Sequence, residues 1–248
     1  MPHFFINSKS VKDSLITIED RDNYNHIAKS LRAKTGETLL LIDENAIQYE
    51  TVIKEISPKS ILVEITRQYK SSRKLEFELY LAQSPLRNSD AQSFLIEKAT
   101  ELGVTGVYPV YTDNCALTKS VIEKKIEKWQ KIMYESSKQC ERADIPVCFN
   151  MTDIKTLLNE VKFDKIIAFC ERIAKTSLHE YCAAHHIKSG EKVLIIIGPE
   201  GGFSEREFEY FETNSQIAML TLGHLILRAE TAVTVALGNV IYEYENNK

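Results

Sequence analysis

The rhythm of apolar and polar positions changes near residue 75. Before it, apolar residues fall in short runs or alternate with period two. Leu39-Leu-Leu-Ile-Asp43 is an apolar run, Ile47-Gln-Tyr-Glu-Thr-Val-Ile53 alternates, and Ile61-Leu-Val-Glu-Ile65 is a third candidate strand, because a pleated strand turns successive side chains to opposite faces. Asp43-Glu-Asn-Ala46 and Ser57-Pro-Lys-Ser60 separate these runs with turn residues. Short strands joined by tight turns predict a small β-barrel over residues 1–70, interrupted by one helix near Tyr24 to Arg32. The polar, basic stretch Gln68-Tyr-Lys-Ser-Ser-Arg-Lys74 marks a domain boundary.

From Leu75 strands alternate with helices. Phe77-Glu-Leu-Tyr-Leu-Ala82 reads as a strand, and Ser89-Asp-Ala-Gln92 has the spacing of a capping box. It predicts a helix with Phe94, Leu95, Ala99 and Leu102 on one face and Gly103 as its stop. Val107-Tyr-Pro-Val-Tyr111 is a strand whose proline suits a sheet edge or a strand end. One long helix is predicted from Lys119 to Cys140, with Ile122, Ile126, Trp129 and Met133 at helical spacing. Strand at Val147-Cys-Phe, helix from Asp153 to Val161, strand at Lys165 to Phe169 and helix near Ser177 to His186 follow. Val193-Leu-Ile-Ile-Ile197 is an unbroken apolar run, Ser204-Glu-Arg-Glu207 a second capping box, and Glu230 to Glu245 a final helix. This alternation predicts an α/β domain over residues 75–248, a mostly parallel sheet covered on both faces.

Composition narrows the function classes. The 248 residues carry a net charge of -4 and a pI of about 5.9, so the chain as a whole is not a strongly basic nucleic-acid binder, although a local patch can supply phosphate contacts. Five cysteines, an odd number without a Cys-x-x-Cys pair, argue against a disulfide framework and a structural zinc site. The first residues lack a signal-peptide layout and the apolar runs are too short to span a bilayer. The expectation is a cytoplasmic protein that uses neither metal nor membrane.

Two glycine-terminated runs carry the candidate chemistry. Val193 to Ile197 ends in Gly198-Pro-Glu-Gly-Gly202, and Leu220-Thr-Leu-Gly223 opens a loop holding Arg228 and Glu230 among Leu225, Ile226 and Leu227. Glycine turns after strands bare backbone N–H groups and let a ligand approach closely. The first turn lacks the Gly-Lys-Ser/Thr ending of a phosphate-binding loop and is not Gly-x-Gly-x-x-Gly. Taken alone it is as well read as a tight turn; the second glycine-ended run tilts it toward a ligand site. Arg228 reads as a desolvated cation for an anionic group, Glu230 as a helix N-terminal acid. His185-His186 are adjacent and read as surface residues. His26, Lys29 and Arg32 share a helical stretch, either a solvated face or a phosphate-contacting one. Arg87 follows a strand end and Arg142 a long helix; each alone reads as a surface residue.

In this order the motifs resemble the bacterial 16S ribosomal RNA uridine-N3 methyltransferases of the SPOUT (α/β-knot) class. The resemblance rests on Gly198 to Gly202, on Leu222-Gly-His-Leu-Ile-Leu-Arg228-Ala-Glu-Thr-Ala232, on His26 to Arg32, on Glu97 to Gly103, and on Trp129-Gln-Lys-Ile132 with Gln139-Cys-Glu-Arg142. The chain departs from the family at Arg87-Asn-Ser-Asp-Ala-Gln92, at Asp113-Asn-Cys-Ala116 and at His224, which carry less positive charge than the usual residues, and at Gln139-Cys-Glu-Arg142, where Gln-Ser-Gly-Arg is usual. The resemblance implies an amino-terminal PUA-like RNA-binding barrel and a carboxyl-terminal domain with a trefoil knot, a rare exception among folds. It implies S-adenosylmethionine bound by Gly198, Glu200, Gly201, Gly202, Leu220, Leu222, Gly223, Leu225, Leu227 and Thr231, with adenine among the leucines. Arg228 would stabilise the uracil anion and Glu200 is the weaker candidate to accept the N3 proton. His26, Lys29, Arg32, Arg87 and Arg142 would contact RNA. Implied partners are the 16S rRNA or small ribosomal subunit and a second copy of the chain. Another RNA target, or a non-catalytic RNA-binding or assembly factor on the same fold, are the competing readings.

Overall fold

The first unit is a β structure built on a buried carboxylate turn. The structure, a computed structural model, describes residues 3–171 and 173–247. Strands β1 (His3–Phe5), β2 (Val11–Lys12), β3 (Leu15–Ile18), β4 (Thr38–Ile42), β5 (Ile47–Ile56) and β6 (Ile61–Lys70) form one sheet in the order β1-β4-β5-β6-β3-β2. All its ladders are antiparallel except β1 with β4. Register shifts between Glu50 and Thr51 and between Ile53 and Glu55 mark irregularities that bend the long β5–β6 ribbon. Asp43 tightens the turn between β4 and β5. Its carboxylate accepts from the amides of Asn45 and Ile47 and from the Tyr49 hydroxyl, each at 2.9 Å. Burial and that bond push the Tyr49 hydroxyl up to about 12. Phe4, Ile16, Ile27, Leu41, Ile53, Ile61 and Val63 are fully buried together.

The helix expected from Tyr24 to Arg32 begins earlier, as α1 (Arg21–Tyr24), because the Asp20 side chain accepts from the Asn23 amide at 2.8 Å. It continues as a π-helical stretch, Asn25–Ser30, and ends where Arg32 takes a left-handed φ of 51°. This unit comprises residues 1–74 together with 137–144; the second comprises 75–136 and 145–248.

The second unit is an open parallel sheet. Its strands are β7 (Glu78–Gln83), β8 (Gly106–Pro109), β9 (Val147–Cys148), β10 (Lys165–Phe169), β11 (Lys192–Ile197) and β12 (Ile217–Leu220). They lie in the order β12-β10-β11-β7-β8-β9, and every ladder is parallel. Period-two alternation sorts side chains between two layers. Leu79, Leu81, Val193, Ile195 and Ile197 face α2 (Ser89–Glu101), α4 (Ile126–Gln139), α6 (Leu178–Ala184) and α8 (Ala229–Asn246). Tyr80, Ala82, Leu194 and Ile196 face α5 (Ile154–Glu160) and α7 (Glu205–Thr213). Burying each such aliphatic side chain stabilises the fold by roughly 1.5–3 kcal/mol. Pro109 closes β8, one place in from the edge, so its missing N–H falls at a strand end.

Three expectations are corrected here. The capping box at Ser89–Gln92 is absent: Asn88 caps α2, accepting from Asp90 and Ala91. The Gln92 amide is used instead to accept from the Leu86 amide and donate to Gln83. Phe94 is 46% exposed rather than on the buried face. The single helix from Lys119 to Cys140 is two, α3 (Lys119–Glu123) and α4, with Lys124 ending the first. Among the described residues no helix is long and apolar enough to cross a membrane.

His3 supplies a pH test. It is buried, neither ring nitrogen has a hydrogen-bond partner among the described residues, and burial, with Arg73 adding repulsion, lowers its pKa from 6.5 to about 4. A depressed folded-state value means that stability present above pH 6.5 is lost as the pH falls toward 4. Thermal melts across that window should show His3→Leu losing less stability than the wild type; parallel losses would refute the assignment.

Candidate active site

The strand order reverses beside β7. The chain runs outward from β7 to β8 and β9, returns to β10 on the far side, and then places β11 between β10 and β7. Open α/β sheets bind ligands at the carboxyl ends of strands beside such a reversal. A pocket of about 540 Å³ lies there, within the range of about 300–1,000 Å³ usual for small-molecule sites. Its walls come from four strand ends: Leu86, Asn88 and Ala91 after β7, Phe169 to Glu171 after β10, Gly198 to Phe203 after β11, and Ile226 to Glu230 after β12.

The glycine turn is held from both sides. A side chain at Gly198 would meet the Phe203 ring at 3.2 Å, and one at Gly201 would meet the Asn114 Cβ at 3.2 Å. Gly202 has a φ of 71°, so the turn needs glycine for its backbone shape as well as for space. Glu200 is exposed, yet its carboxylate accepts from the Arg87 amide at 3.0 Å, joining the β11 and β7 loops. Asn114 donates to the Gly202 carbonyl at 3.1 Å. Asp113 receives bonds from the Ser204 hydroxyl and Arg206, and these bonds hold its carboxyl below the usual range. Ser204 and Glu207 form the expected capping box at the start of α7.

The second loop is tied down at its start and open at its middle. The Thr221 hydroxyl donates to the Gly223 carbonyl and accepts from its amide, and Gly223 has a φ of 129°. Leu225 and Ile226 are 77% and 71% exposed. Arg228 is exposed on the pocket wall and caps α8, its carbonyl accepting from the Ala232 amide at 2.7 Å. Glu230 lies in the first turn of α8, where the helix dipole favours an anion. With Glu171 and Glu200 it makes three carboxylates on the wall.

An RNA methyltransferase domain model matches residues 73–241, and a PUA domain model of RNA methyltransferases matches residues 18–66. The chain belongs to the RNA methyltransferase family. It is 32% identical over 244 residues to the ribosomal RNA small subunit methyltransferase E of Mesomycoplasma hyopneumoniae, covering 97% of this chain and 99% of that one. It is 27% identical over 229 residues to the enzyme of that name from Bacillus subtilis, covering 90% and 89%. The crystal structure of the Neisseria gonorrhoeae enzyme of that name, bound to S-adenosyl methionine, aligns with a TM-score of 0.81 at 24% identity, covering 98% of this chain and 97% of that one. The chain thus joins a PUA domain of the RNA methyltransferases to the RNA methyltransferase domain that follows it.

For this methyltransferase the structure sorts the sequence-derived site residues. Gly198, Glu200, Gly201, Gly202, Leu227 and Arg228 come together on one pocket wall system. Leu220 is buried in the core, Leu222 packs against it, and Leu225, Gly223 and Thr231 face solvent. The leucine surroundings expected for adenine are therefore represented on the wall by Leu227, with Leu86 and Ile197 supplying apolar surface from other strands. Lys29 and Arg32 are exposed; His26 is half-buried with its ring edge on Phe4, 5.3 Å between centroids. Arg87 is exposed beside the pocket wall. Arg142, read from the sequence as a surface residue, is only 6% exposed and bonds the Asp144 carboxylate at 2.9 Å. Sequence reasoning missed Phe169, Cys170 and Glu171, although the strand they end was recognised.

Gly202→Ala isolates the cost of the turn. Nothing lies within 4 Å of a built side chain, so the penalty is the left-handed backbone alone, about 1–2 kcal/mol. Differential scanning fluorimetry should find the midpoint a few degrees lower; an unchanged midpoint would contradict that reading.

Proposed function

We propose that this chain methylates N3 of a specific uridine in the small-subunit ribosomal RNA, with S-adenosylmethionine as donor and as a homodimer. The observation that carries the reading is the convergence of the Gly198–Gly202 turn and the Ile226–Glu230 loop on one pocket in an RNA methyltransferase domain. Its relatives' name, ribosomal RNA small subunit methyltransferase E, points to the same substrate class.

The pocket suits the donor. Glycines permit close backbone approach, apolar walls from Leu86, Ile197 and Leu227 suit a purine, and the carboxylates of Glu171, Glu200 and Glu230 complement a cationic ligand. Bound there, S-adenosylmethionine supplies an electrophilic methyl group on a sulfonium. Gly198, Gly201 and Gly202 would hold it through backbone groups, and Leu227 would lend apolar surface to its base.

Uracil N3 carries a proton, so its reaction needs an acceptor and stabilisation of the anion left behind. Arg228 is the guanidinium on the pocket wall and takes the stabilising role. Glu200 is the candidate acceptor, and its bond to the Arg87 amide favours instead the role of holding the turn. His26, Lys29, Arg32 and Arg87 position RNA through phosphates, and the target base must leave its stack to expose N3. The exposed apolar residues Leu225, Ile226 and Tyr242, the last at 65%, offer a surface for a second copy.

Arg228→Ala should abolish methylation while S-adenosylmethionine affinity, measured by calorimetry, stays within a few-fold of wild type. Mass spectrometry of rRNA from a deletion strain complemented with either form reads the outcome. An unchanged N3-methyluridine level in the uncomplemented strain would refute the target. Wild-type methylation by Arg228→Ala would refute the role of the arginine.

A further inference from the structure

Charge around the pocket is unevenly distributed, and one side of it has no assigned role. Between residues 119 and 131 stand Lys119, Lys124, Lys125, Lys128 and Lys131 against Glu123 and Glu127, in a chain whose net charge is -4. Burial orients this segment. Ile122, Trp129 and Met133 are 0%, 2% and 0% exposed and anchor α3 and α4 on the core, while Lys124, Lys128 and Lys131 are exposed. The segment also reaches the pocket. The Lys128 ammonium donates to the Ser89 hydroxyl at 3.3 Å, and Ser89 opens α2 directly after Asn88, a pocket residue. Exposed Arg87 precedes Asn88. On the α7 side, which contributes Phe203 and Phe208 to the wall, the exposed side chains include Glu205, Glu209 and Glu212, and Arg206 is occupied by Asp113.

We infer that the lysine surface of Lys124, Lys128 and Lys131 is the track for the RNA backbone flanking the methylated nucleotide, which enters the pocket past Ser89 and Arg87. The proposal rests on the reading of the substrate as ribosomal RNA. Phosphates passing over the acidic face of α7 would be repelled; along α3 and α4 they meet ammonium groups, of which that of Lys128 reaches Ser89, one residue from the pocket wall. Lysines act here as point charges that set affinity and register without reading bases.

The test uses the full chain and a small-subunit rRNA transcript. Each phosphate neutralised adds about 0.7 to the slope of log affinity against log salt for a single strand, so Lys124→Ala/Lys128→Ala/Lys131→Ala should lower that slope by about 2. The corresponding triple arginine variant should restore it, and calorimetry should find S-adenosylmethionine binding unchanged in both, establishing that the pocket is folded. A triple alanine variant with the wild-type slope overturns the track. If the wild type itself neither retains nor methylates the transcript, the rRNA assignment fails and this proposal fails with it.

Discussion

The parallel pairing of β11 with both β7 and β10 is the constraint on which the pocket depends. It buries an unbroken aliphatic run, Val193 to Ile197, on both faces, so neither neighbour can shift register without exposing one layer of the core. Parallel ladders also align carboxyl ends, which brings together loops far apart in the chain. The turn after β11 then sits against the loop after β7 through Glu200 and against the loop after β8 through Asn114 and Asp113. Glycine at positions 198, 201 and 202 follows from that crowding and from the left-handed backbone, not from flexibility.

Much of the fold was legible in the sequence, because alternation and helical spacing are local. Lys165 to Phe169 and the Ser204 cap are found where the pattern places them. The misreadings have tertiary causes. Ser89 lost its cap to Asn88 because Gln92 is needed to satisfy the Leu86 amide. The break after Glu123 falls at two lysines, residues that favour helix and give no stop signal. Arg142 looked like a surface cation until its burial beside Asp144 was visible.

The site was only partly legible for a related reason. The two glycine-ended runs announce themselves, and Arg228 stands out as a cation among leucines. Strand order, by contrast, is not written locally, so nothing in the pattern joined the end of β10 to the end of β11 and made Glu171 a wall of the pocket. Hydropathy likewise reads Leu225 and Ile226 as interior residues, whereas the loop that carries them is tied at Thr221 and Arg228 and projects between.

The pocket wall draws on residues from Leu86 to Ala232, and its first and last parts lie more than a hundred positions apart. Such a site has high contact order, and loop-closure entropy must be met before any of its contacts form. During synthesis the amino-terminal unit can complete once residue 144 has emerged, while the pocket must wait for the start of α8. A nascent chain therefore acquires its β-rich unit well before it can hold a small ligand, and α8 is the helix that closes the site.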